Sequence, residues 1–182
     1  MSEEVTRLPF RATPAAAAHD RLGPLPVLVL LDNVRSLYNV GAFFRTCDAA
    51  GVDRLLLSGI TAHPPHPRIS KTALGAEDTV AWEAVGDPVR RVETLRGEGF
   101  EVAVVETRLG AVDLFDWRPA FPVCVVFGHE IDGVRPDLVD RADTFVRLPM
   151  RGVKHSLNVA TAAGIVLYEL LRKYRGLADR GR

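Results

Sequence analysis

The chain has 182 residues, 47% hydrophobic and 25% charged, with zero formal net charge at neutral pH. Its size fits one globular domain with a sizeable core. No apolar run approaches the roughly 20 residues that span a bilayer, and no basic segment followed by a long apolar one opens the chain, so a soluble, cytoplasmic protein is expected.

Residues 1–24 hold three prolines and an Ala15–Ala18 run with little periodicity, which predicts an arm or short helix outside the core. The domain is expected over 25–176, followed by a basic tail at 177–182. VLVLLD at 27–32 and RLLLSG at 54–59 are continuous apolar runs of the kind buried on both faces of a sheet. A helix from about Val40 to Ala50 lies between them. Further strands are predicted at 101–106, 122–128 and 144–149, with helical patterns at about 87–98 and 136–141. A long helix from about Ser156 to Arg175 closes the chain. Strands alternating with helices predict an α/β fold around a mostly parallel sheet.

Charge is distributed unevenly. Residues 1–71 carry 8 basic and 6 acidic side chains, 72–144 carry 7 and 15, and 145–182 carry 8 and 2. Arg172, Lys173, Arg175, Arg180 and Arg182 therefore read either as a polyanion contact or as a solvated helix face and basic tail. Cys47 and Cys124 sit in apolar patterns without metal-ligand spacing, which predicts buried free thiols. His63 and His66, in the HPPHP stretch, are two histidines without further ligands, so no metal is expected.

Ligands of a parallel sheet bind outside the carboxyl ends of its strands. Three turns carry polar groups there. In DNVRSLYNVGAFFRTCDAAGV (32–52), Asn39 reads as a helix N-cap and Arg45 follows about 120° around the helix. A plain cap and an exposed arginine is the competing reading. In VVFGHEIDGVRPDL (125–138), a strand runs into Gly128, His129, Glu130 and Gly133; the alternative is an ordinary turn, with His129 as a turn residue. In RLPMRGVKHSLNVATAAGIVLY (147–168), Ser156 reads as the N-cap of the last helix, Asn158 reaches the same opening, and the small residues behind permit close packing.

Together these segments resemble the SpoU family of SPOUT RNA methyltransferases, the TrmH-like ribose 2′-O enzymes. The resemblance rests on NVGAFFRTCDAAGV (39–52), FGHEIDGV (127–134) and LPMRGVKHSLNVATAAGI (148–165), in family order over about residues 26–174. RISKTALGAEDTVAWE (68–83) is similar to one branch. The resemblance implies a carboxyl-terminal deep trefoil knot and a homodimer with shared active sites. It also implies S-adenosylmethionine bound by Phe127, Gly128, His129, Gly133, Leu148, Met150, Ser156 and Leu157. Arg45 matches the family's catalytic arginine, and Asn39, Glu130, Ser156 and Asn158 match its other polar positions.

A ribose 2′-hydroxyl is a poor nucleophile near neutral pH, so the protein must align it with the methyl donor and ease proton loss. Two roles stay open for Arg45: general base, or holder of a phosphate and stabiliser of alkoxide charge. Two rival functions are a non-catalytic RNA-binding relative and a nucleotide-dependent oxidoreductase; the chain lacks a dinucleotide fingerprint. With about 24 residues ahead of the first strand, selection of tRNA or rRNA falls to the arm, the 60–72 loop, the basic tail or the dimer groove.

Overall fold

Val27, Val29 and Leu31 of LPVLVLLD face one side of their sheet and Leu28 and Leu30 the other, all of them buried. Such a strand needs cover on both faces. The computed structural model, which describes residues 24–178, supplies it as helices in two layers. The expected arm, Arg180 and Arg182 lie outside the described residues.

The described residues form seven strands, β1 (Leu25–Asp32), β2 (Val52–Ser58), β3 (Trp82–Val85), β4 (Glu101–Val105), β5 (Val112–Asp113), β6 (Val123–Phe127) and β7 (Thr144–Arg147). They form one sheet in the order β3-β2-β1-β6-β4-β7-β5, and every pairing is parallel. On one face lie α1 (Leu37–Ala50), α2 (Pro67–Ala73) and α5 (Val159–Ala178), through Phe43, Phe44, Ile69, Val166 and Leu170. On the other lie α3 (Pro88–Gly97) and α4 (Pro136–Val139), through Val92, Leu95 and Leu138. The predicted α/β class is the one found.

Cys47 belongs to the first cluster and Cys124 to the second, so the sheet separates the two free thiols. Burial raises both: Cys124 is pushed up to about 12, and Cys47 higher still. Neither is available as a thiolate nucleophile at neutral pH.

Several local expectations are corrected. Helix α1 begins at Leu37, three residues before Val40, because the Ser36 hydroxyl accepts the Asn39 amide as N-cap. Asn39 therefore sits inside the first turn. Helix α5 begins at Val159, not Ser156: Asn158 Oδ1 accepts from the amides of Ala160 at 3.0 Å and Thr161 at 3.2 Å, and so takes the cap. Part of the expected 60–72 loop is α2, capped by His66 Nδ1 with Pro67 at its first position. A Cβ on Gly41 would stand 2.4 Å from the Ile69 carbonyl oxygen, so this glycine allows α1 to meet α2 closely.

The terminal cations also find places. Lys173 donates to the carbonyls of Leu114, Phe115 and Trp117, and Arg172 pairs with Glu169 at 2.7 Å. Lys173 thus serves the fold instead of a polyanion. His63 stacks on Trp82 with ring centroids 5.4 Å apart. Among the described residues no group of three or more His, Cys, Asp or Glu could hold a metal, and no helix is long and apolar enough to cross a membrane.

Candidate active site

Strands β6, β4 and β7 are neighbours, and their carboxyl ends open on one cleft of about 400 Å³. That volume suits a ligand of cofactor size. From β6 come Phe127, Gly128, His129, Glu130, Ile131 and Gly133; from β7 come Arg147, Leu148 and Met150. The approach to α5 adds Ser156, Leu157 and Asn158. All eight residues expected to touch the cofactor therefore line one cavity, although they come from two strand exits and the approach to α5.

Gly128 shows why the second turn needs glycine. A Cβ there would lie 2.2 Å from the carbonyl carbon and 2.4 Å from the carbonyl oxygen of Gly133, and 2.3 Å from the Val134 nitrogen. The loop folds back so tightly that His129 and Gly133 exchange both backbone hydrogen bonds, at 2.9 and 3.0 Å, with Gly133 at φ 72°. His129 Nδ1 accepts from the amides of Ile131 and Asp132, each at 3.2 Å. Asp132 Oδ2 also approaches Nδ1 at 3.1 Å, but two amide donors fix that nitrogen as an acceptor. The ring thus organises the turn, and His129 is among the residues that line the cleft.

The expected polar residues form a chain beside this cavity. Asn158 Nδ2 donates to Asn39 Oδ1 at 3.1 Å, and Asn39 Nδ2 donates to Glu130 Oε1 at 2.9 Å. Glu130 further accepts from the amides of Arg35 and Ser36, both at 3.1 Å, so its carboxylate sits on the amino end of α1. Buried Asp32 fixes the same loop from behind: its Oδ2 accepts from the Arg135 amide at 3.0 Å and its Oδ1 from the Ser58 hydroxyl at 3.2 Å. Ser156 lies in the cleft wall, two residues ahead of the cap.

Burial pushes the Glu130 carboxyl up, yet its own amide, Asn39 and the amides of Arg35 and Ser36 together hold it below the usual carboxylate range. A depressed folded value contributes stability above the unfolded value, about 4.3 for glutamate, and that contribution is lost as pH falls through the folded value. Glu130→Gln is therefore expected to destabilise the protein near neutrality and to match wild type progressively more closely below about pH 4. Urea unfolding of both proteins at pH 7 and pH 3.5 checks this; a gap that stays constant or widens on acidification would refute it.

Arg45 is exposed on α1 and is not among the residues lining the cleft of its own chain. The structure thus brings Asn39, Glu130, Ser156 and Asn158 to the cleft or to its hydrogen-bonded margin, while Arg45 is not among the residues that line it. Glu106 and Thr107, at the exit of β4, were missed as site residues, although both line the cleft. The strand itself was legible, but its place between β6 and β7 follows from sheet order, which pattern alone does not give.

Residues 26–168 match the SpoU rRNA Methylase family. The tRNA (guanosine(18)-2′-O)-methyltransferase of Aquifex aeolicus is 34% identical over 148 residues, covering 81% of this chain and 69% of its relative. The crystal structure of the A. aeolicus TrmH/SpoU tRNA modifying enzyme superposes with a TM-score of 0.79 at 30% identity, over 88% of this chain and 81% of the other. The SpoU methyltransferase AviRb from Streptomyces viridochromogenes, in complex with AdoMet, gives 0.73 at 29% identity, over 81% of this chain and 57% of that one. The chain spans about 60 to 69% of the length of its first curated relatives. Its match runs from β1 into α5 and includes all three site-bearing turns, and the chain belongs to the SpoU rRNA methylase family.

Proposed function

We propose that the chain is an S-adenosylmethionine-dependent methyltransferase acting on a ribose 2′-hydroxyl of tRNA or rRNA, and that it works in the cytoplasm as a homodimer. The observation that carries this is the joining of one cleft, built on the exits of β6, β4 and β7, to the Asn158–Asn39–Glu130 chain at the amino end of α1. The cleft fits the cofactor. Phe127, Leu148, Met150 and Leu157 offer an apolar wall for a purine, and Gly128 clears the backbone for close approach. When bound, the cofactor supplies a methyl group already activated on a sulfonium.

The protein's part is alignment and charge. Asn39 and Asn158 hold one another beside the cleft, so their remaining hydrogen-bonding atoms are fixed in direction and suit a sugar hydroxyl. Glu130 has both oxygens engaged by three donors, which makes it a positioning residue for Asn39 and not the base. Arg147 lines the cleft and Arg151 and Lys154 are exposed on the adjoining loop, where phosphates of a polyanion would pass. Tyr38 of α1 and Ile165 and Tyr168 of α5 are exposed, and exposed large apolar side chains on these two helices support pairing with a second copy. Pairing would let Arg45 complete the partner's site. Residues 148–158 leave β7 and return toward α1, and Thr107 Oγ1 of the post-β4 connection donates to the His155 carbonyl at 3.3 Å, a course compatible with the threaded trefoil knot we propose for this segment.

The deciding experiment maps ribose 2′-O-methylation across total RNA from cells with and without the protein, followed by labelled methyl incorporation into the RNA identified. At least one 2′-O-methyl position that depends on the protein is expected. Binding of RNA and cofactor without transfer would instead establish the non-catalytic reading.

A further inference from the structure

Among the described residues two carboxylates line the cleft, Glu106 and Glu130. They are not equivalent. Glu130 takes three donors from the amino end of α1 and spends its acceptors on the fold. Glu106 accepts only two: the Thr107 amide at 3.1 Å on Oε1 and the Val134 amide, long at 3.4 Å, on Oε2. An ionised carboxylate offers about four acceptor positions, so roughly half of its capacity is left for a ligand. Its oxygens press on Gly133, where a Cβ would stand 2.5 Å from Oε2, so the side chain is held between the β4 exit and the turn that follows β6.

Position in the sheet says which part of a ligand it meets. Strand β4 lies between β6 and β7, hence between Phe127 and Gly128 on one side and Leu148 and Met150 on the other. The reacting end belongs near Asn39 and Asn158, on the α1 side. Strand β4 is two strand spacings from β1, roughly 10 Å, so Glu106 serves a group remote from the transferred methyl and beside the apolar wall. A purine nucleoside presents there a vicinal pair of hydroxyl donors, and a carboxylate fixed at its base is a matching double acceptor. The geometry points to Glu106 as the residue that accepts the ribose hydroxyls of S-adenosylmethionine, setting how the nucleoside seats in the cleft. This inference rests on the cofactor reading given above.

Calorimetry with S-adenosylhomocysteine and its 2′-deoxy and 3′-deoxy forms tests it without any turnover. Wild type is expected to bind at least one deoxy form about tenfold or more weakly than the parent, as for a lost hydrogen bond to a charged acceptor. Glu106→Gln is expected to weaken the parent by a similar factor but to add little further loss on that deoxy form, because the partner is already impaired. Equal weakening of all three ligands by Glu106→Gln would mean that the residue only shapes the loop, and would overturn the assignment. So would equal binding of all three ligands to wild type, a measurement that requires no variant to fold; Glu106→Asp repeats the variant arm with the charge retained. Failure of wild type to bind S-adenosylhomocysteine at all would take down the cofactor reading itself, an outcome distinct from loss of this assignment alone.

Discussion

Arg45→Ala is expected to lower the proposed methyl transfer to RNA by about a hundred- to a thousandfold, the loss that follows when one fixed cationic donor is removed from developing oxyanion charge. Binding of S-adenosylmethionine stays close to wild type, because Arg45 does not line the cleft. The fold is expected to survive the substitution, because the position is exposed on α1 and the buried face of the helix is carried by Phe43, Phe44 and Cys47. Arg45→Lys then separates the two roles for the arginine. As a base, lysine would move the rising limb of the rate profile to lower pH, since ammonium groups release their proton more readily than guanidinium. As a phosphate and alkoxide stabiliser, lysine keeps the charge near neutrality but loses the planar fork, so the rate falls while the rising limb holds its position. The second outcome is expected. Wild-type turnover of Arg45→Ala on the true RNA would remove Arg45 from the mechanism.

The parts of this fold that were legible are those where one physical demand dominates. The 27–32 and 122–128 runs announce strands because burial on both faces forbids alternation, and both are found, as β1 and β6. Helix α3 is found at Pro88–Gly97, within the span its pattern gave. What escaped notice is marginal by the same measure. Strand β3 is a half-covered edge strand of four residues, β5 has two, and α2 hides behind the prolines of HPPHP, which read as loop until His66 is seen to cap it. The cap errors share a cause. Ser36 and Asn39 can both cap α1, and Ser156 and Asn158 can both cap α5, so local chemistry does not choose. Tertiary partners choose: Glu130 claims the Asn39 side chain, and Asn39 in turn orients Asn158, whose Oδ1 is then turned to the amides of α5. Glu106 was hidden at a further remove. Its function depends on β4 lying between β6 and β7, a crossover that joins elements far apart in the chain.

Gly128→Val is expected to weaken cofactor binding by intruding on the cleft from its floor. The obstacle is backbone and not a movable side chain: the added Cβ would meet the Gly133 carbonyl carbon at 2.2 Å and the Val134 nitrogen at 2.3 Å. The turn must shift, and with it the His129–Gly133 bridge and the seat of Glu130. Overpacking of this kind costs about 1–3 kcal/mol, which if borne by the bound state alone is roughly five- to 150-fold in affinity. Calorimetry with S-adenosylmethionine measures this, with near-ultraviolet circular dichroism to confirm the fold; unchanged affinity would place the cofactor elsewhere. The variant also gives a test of shared sites. A dimer pairing one Gly128→Val chain with one Arg45→Ala chain holds one site with an intact cleft from the second chain and an intact arginine from the first, if the arginine acts across the interface. Random pairing of two inactive chains into two-fold dimers would then restore about a quarter of the wild-type rate per chain. No restoration on mixing, with heterodimers present by mass spectrometry, would mean that Arg45 serves the cleft of its own chain.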